Sequence, residues 1–163
     1  MAQEQVDAVA DRVRALAVQQ AVNGLSTLSV DSSSLAVNVF WVGAVPAPIA
    51  ALDKSSHHVR VVFHAARFTA REMLSAMDRV MSATPDPRDA SASGLAVGSA
   101  SACNDGSGIQ VDVADRATGH PAKSLPDSYI AAIRGRAGEV PVLVVPGWMP
   151  QPATPQPLGV IAG

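Results

Sequence analysis

The chain has 163 residues, 48% of them apolar and 16% charged, and its 12 Lys and Arg against 14 Asp and Glu give a formal charge of -2. That length can bury a core as one ordinary domain or two small ones packed together, and the composition argues against disorder. With no basic stripe to neutralise phosphates and few aromatics to stack on bases, it also argues against nucleic acid as a partner.

The N-terminal stretch "MAQEQVDAVADRVRALAVQQA" carries acids before an apolar run can form, so it does not read as a signal peptide. No segment approaches the roughly 18 apolar residues that cross a bilayer, and no membrane span is expected. The expectation is a chain that is cytoplasmic or assembled into a particle. Val6, Val9, Val13, Leu16 and Ala17 instead recur at helical spacing, which predicts an amphipathic helix ending near Asn23-Gly24. Next, "LSTLSV" and "LAVNVFWV" flank the polar turn "DSSS", with Leu35, Val37, Val39 and Trp41 on one face of the second strand. This is a β-hairpin.

Gly43 breaks that strand, and Pro46 and Pro48 suit the first turn of a helix running to about Asp53. In "VRVVFHA", Val59, Val61 and Phe63 share one face of a third strand. Then "FTAREMLSAMDRVMSA" predicts a helix in which Thr69 and Glu72 form a capping box and Met73, Ala76, Met77, Val80 and Met81 form the buried stripe. The segment "TPDPRDASAS" reads as a linker.

From Gly94 the order begins again: "GLAVGSASAC", a turn at "NDGSG", and "IQVDVA" with Ile109, Val111 and Val113 on one face. A helix from Pro126-Asp127 carries Tyr129, Ile130, Ile133 and Ala137 and ends near Gly138, before the apolar strand "VPVLVV". The pattern predicts an α+β domain over residues 1–145: an initial helix and two ββαβ units, largely antiparallel, with a possible duplication of 24–83 in 94–145. Residues 146–163 contain five prolines and read as an extended tail.

Little in the chain points to chemistry. The G-x-S-x-G nucleophile signature is missing, and Ser107 in "DGSGI" reads as part of a hairpin turn. His120 with Asp112 or Asp115 would make a base and its orienter, but "ATGHPAKS" has the composition of a surface loop. His58 and His64 would stand about 20 Å apart along an extended strand, and adjacent His57 and His58 point to opposite faces, so they cannot share a metal. Cys103, the single cysteine, has no cationic neighbour in sequence to activate it, and no phosphate-binding glycine loop is present. No catalytic residue, cofactor site or metal ligand is assigned, and the chain is expected not to be an enzyme.

Contact residues are easier to nominate. Phe40 and Trp41 face opposite sides of one strand, so only one can fill a given core and the other needs a cover. In the tail, Trp148, Met149, Leu158 and Ile161 supply apolar anchors that a solvated linker does not need. The expected partner is another protein or further copies of the chain.

The run "LSVDSSSLAVNVFWVGAVPAPIAAL" followed by "VRVVFHAARFTAREMLSAMDRV" resembles the N-terminal, pro-domain-like regions that precede trypsin-like serine protease domains in secreted actinobacterial proteins. The resemblance covers roughly residues 24 to 146; its motifs are structural, and the protease domain is absent from this chain. It implies a fold and a habit of binding another protein. The function expected is a non-catalytic protein-binding module; the alternative is a structural subunit of a larger particle, such as a phage virion, assembled through low-charge faces and a C-terminal arm.

Overall fold

A computed structural model describes residues 2–19, 23–55, 58–82 and 94–149. The first unit opens with α1 (Ala2–Gln19), followed by a hairpin of β1 (Leu25–Asp31) and β2 (Ala36–Trp41). Two short helices, α2 (Ala47–Ala50) and α3 (Leu52–Ser55), lead to β3 (Arg60–Ala65). The second unit repeats this order with α4 (Ala70–Ser82), β4 (Leu95–Ala102), β5 (Ile109–Asp115), α5 (Asp127–Ala137) and β6 (Val142–Pro146). The chain is therefore α+β, as its pattern predicts.

Each unit contains a three-stranded sheet, ordered β1-β2-β3 and β4-β5-β6. The hairpin strands are antiparallel, and the third strand lies parallel to the middle one, with Val37 opposite Val61 and Val111 opposite Val144. Parallel pairing follows from the connection: a helix carries the chain back across the sheet face, so the next strand runs in the same direction.

Alternation decides which faces are buried. Val37, Val39 and Trp41 of β2 pack with Val61 of β3 against Val6, Ala10 and Val13 of α1 and Ile49 and Leu52 of the short helices. In the second core, Ile109, Val111 and Val113 of β5 meet Ile133 and Ala137 of α5 and Met73, Ala76 and Val80 of α4. Burying one such aliphatic side chain contributes about 1.5–3 kcal/mol, so these two stripes dominate the stability of their units. The helix that sequence pattern groups with residues 24–83 thus shares its core with the second sheet, and both units read α-β-β-α-β. The linker expected at 84–93 lies outside the described residues.

Several local expectations shift. Leu35 is not on the strand; it sits in the turn at φ 48°, a left-handed conformation strained for a branched side chain. The helix after Pro46 is interrupted at Ala51, giving two short helices in place of one. Met81 is 48% exposed because it lies on the margin of the α4 stripe, and Met77 is only half-buried.

The units join at the β4–β5 turn. Thr27 Oγ1 donates to the Asn104 carbonyl at 2.8 Å, and Gly106, at φ +67°, faces Ser26, Ala66 and Phe40. Within the second unit, Arg79 of α4 donates to the Arg136 and Ala137 carbonyls at 3.0 and 2.7 Å. Its guanidinium satisfies the last turn of α5, where carbonyls lack intrahelical partners.

Candidate protein-contact surface

The residues considered for catalysis do not converge. Asp105 Oδ1 accepts from the Ser107 backbone N–H at 3.0 Å, and Gly106 N–H donates to the Cys103 carbonyl at 3.0 Å; Ser107 therefore belongs to a hairpin turn. Asp115 Oδ1 accepts from the Ala117 and Thr118 backbone at 2.9 and 3.0 Å, while Asp112 accepts from Ser99 Oγ at 2.6 Å and Gln110 Nε2 at 3.0 Å. The His120 ring packs instead on Trp148, centroids 4.7 Å apart.

His57 lies outside the described residues, and His58 is exposed ahead of β3. His64 Nε2 bonds Asn38 Oδ1 at 3.0 Å, and the Cys103 thiol is free and half-buried. Among the described residues no group of three or more His, Cys, Asp or Glu could hold a metal ion.

The aromatic pair separates as alternation requires. Trp41 is 1% exposed and belongs to the first core, so it is withdrawn as a contact residue. The strand parity that points Phe40 outward points Trp41 inward, beneath Gly24, where any Cβ would collide with the indole. Phe40 lies on the opposite face, stacked on His64 with centroids 4.8 Å apart and planes 19° from parallel. It is half-buried, covered in part by His64 and the Gly106 turn.

The start of the tail behaves differently from a free arm. Pro146 ends β6 opposite Val113, and the chain then folds back over its own sheet. Gly147 N–H donates to the Val113 carbonyl at 2.9 Å, and Met149 N–H donates to the Gly119 carbonyl at 3.0 Å. Gly147 passes directly over Asp112, and the Trp148 carbonyl crosses Gly98 of β4, 2.6 Å from where a Cβ there would stand. Residues 147–149 thus form a strap across the face of the second sheet opposite its helices, a correction to the expectation that everything from Pro146 stands apart from the domain. Leu158 and Ile161 lie outside the described residues.

The strap leaves Met149 half-buried and Trp148 64% exposed. Leu143 of β6, paired with Gln110, turns to the same face and is 54% exposed. Sequence reading passed over Leu143 because "VPVLVV" is apolar throughout. Its parity, opposite to that of buried Val142 and partly buried Val144, is the signal that finds it.

Comparison with protein-family models, with curated proteins and with solved structures finds no match to this chain. Among the described residues, no helix is long and apolar enough to cross a membrane.

Proposed function

We propose that the chain is a non-catalytic protein-binding module, resembling a protease pro-region, that docks through the strapped face of its second sheet. The observation that carries this reading is Trp148: hydrogen bonds on either side of it anchor its backbone while most of the residue stays exposed. An aromatic side chain presented on an anchored backbone offers large apolar area at low ordering cost, the profile of a binding anchor. Leu143 on the same face adds a second apolar contact. Phe40, Met149, Leu158 and Ile161 are subsidiary candidates.

The resemblance directs the choice of partner toward a trypsin-like serine protease domain of the kind actinobacteria secrete. The test is an inhibition assay on such a protease, with the full chain and with Trp148→Ala. The full chain is expected to inhibit, and the variant to inhibit about tenfold more weakly at unchanged melting temperature. Equal inhibition by both would remove Trp148 from the interface.

A second reading draws on the same exposed residues and the low charge. In it they pack against copies of the chain in a particle such as a virion, and self-association that fails in Trp148→Ala would favour it.

A further inference from the structure

Tyr129 is 4% exposed and packs in the second core, yet no hydrogen bond reaches its hydroxyl among the described residues. The side chain lines a cleft of about 140 Å³ where α4, β4 and α5 meet. Val80, Met81, Ala96 and Val97 supply apolar wall, and among the described residues the charged groups on the lining are Arg116 and Arg136. Arg116 donates to the Leu95 carbonyl at 3.1 Å, which leaves most of its fork unused. The Arg136 guanidinium has no ion-pair or hydrogen-bond partner among the described residues. Burial raises the proton affinity of the Tyr129 phenol, while the positive charges of Arg136 and Arg116 act against that rise, so both cations bear on the hydroxyl.

Two guanidinium forks and a phenol O–H are all donors, and together they face a partly open cleft to which the described residues bring no acceptor charge. Planar forks match a carboxylate, and the aliphatic walls match the carbon chain attached to it. A hydrated phosphate would leave those walls facing water. We propose that this cleft is a binding site for a carboxylate on a short aliphatic chain, held by Arg116 and Arg136 and oriented by the Tyr129 hydroxyl. The carboxylate comes either from a free short-chain acid or from a glutamate side chain of a peptide. The site does not depend on the protein-contact reading.

Tyr129 is the single tyrosine, so its ring resonances report on the cleft alone. The full chain is titrated by NMR with butanoate, with a glutamate-containing peptide blocked at both ends, and with inorganic phosphate. Saturable shifts of the Tyr129 ring are expected with at least one carboxylate, and the tighter of the two identifies the source. Arg116→Gln and Arg136→Gln should each weaken binding about tenfold with spectral dispersion intact, since each removes a charge-assisted contact from a solvent-accessible position. Tyr129→Phe removes the ring reporter and is followed through the backbone amides of Ala96, Val97 and Arg116 on the cleft lining; it should weaken binding several-fold, and should that variant fail to fold, the arginine variants decide. The proposal is overturned by any of three results: no saturable shift with either carboxylate, phosphate binding as tightly as both, or undiminished affinity in the Arg116→Gln, Arg136→Gln double variant.

Discussion

The Trp148 carbonyl lies directly against Gly98, 2.6 Å from the position a Cβ would occupy there, so the strap crosses β4 only where that strand has no side chain. Gly98→Ala is therefore expected to lift residues 147–149 and to cost about 1–3 kcal/mol through overpacking against backbone that cannot rotate away. Amide exchange at Met149, whose N–H is held by Gly119, reports the change. A Gly98→Ala variant with full Met149 protection and unchanged stability would show that the strap has slack.

The capping box of α4 is formed as the sequence predicts. Glu72 N–H donates to Thr69 Oγ1 at 3.2 Å, while Glu72 Oε2 accepts from the Thr69 N–H at 2.7 Å and from its hydroxyl at 2.8 Å. Thr69→Ala should cost about 1 kcal/mol in denaturant titration. Met73→Ala should cost about 2–5 kcal/mol because that side chain is fully buried, and Met77→Ala less because it is half-buried. Equal losses for the two methionines would contradict the orientation of α4.

Four carboxylates are held below their ordinary range by local hydrogen bonds: Asp31 by Ser33 and Ser34, Glu72 by Thr69, Asp105 by Ser107, and Asp115 chiefly by Thr118. A depressed folded pKa binds protons more weakly than the unfolded chain does. The resulting stability is present above about pH 4, where the unfolded groups are ionised, and is lost as pH falls toward each folded value. Unfolding midpoints measured from pH 6 downward should therefore decline below about pH 4 and decline less steeply in Asp31→Asn. An identical acid profile for that variant would contradict the Asp31 turn.

Ser26 is 4% exposed, and its hydroxyl has no partner among the described residues, although it faces the Gly106 turn where the units meet. An unpaired buried hydroxyl costs desolvation without return, so Ser26→Ala should leave stability unchanged or raise it by about 1 kcal/mol. A clear loss in thermal unfolding would mean that the hydroxyl bridges the units.

What could be read from the sequence was local. Alternation through Ile109, Val111 and Val113, the Thr69–Glu72 spacing and the Asn104-Asp105-Gly106 turn each depend on residues a few positions apart, and all three are present in the fold. The stripe on α4 announced a buried face but could not say which sheet would cover it, and it packs on the second. Of the tail's prolines only Pro146 lies among the described residues, where it ends β6. Docking of Gly147 to Met149 depends on Gly98, some fifty positions earlier, and no periodicity records that distance. The Tyr129 cleft was hidden for the same reason: Arg116, Arg136 and Met81 meet only once three elements have packed.

The most direct test of the protein-binding account is sedimentation velocity on the full chain, alone and mixed with an actinobacterial secreted trypsin-like protease, each repeated with Trp148→Ala. The account predicts a monomer alone, a one-to-one complex in the mixture, and about tenfold weaker formation of that complex in the variant. Large homo-oligomers in the chain alone, with no protease co-sedimenting, would contradict it.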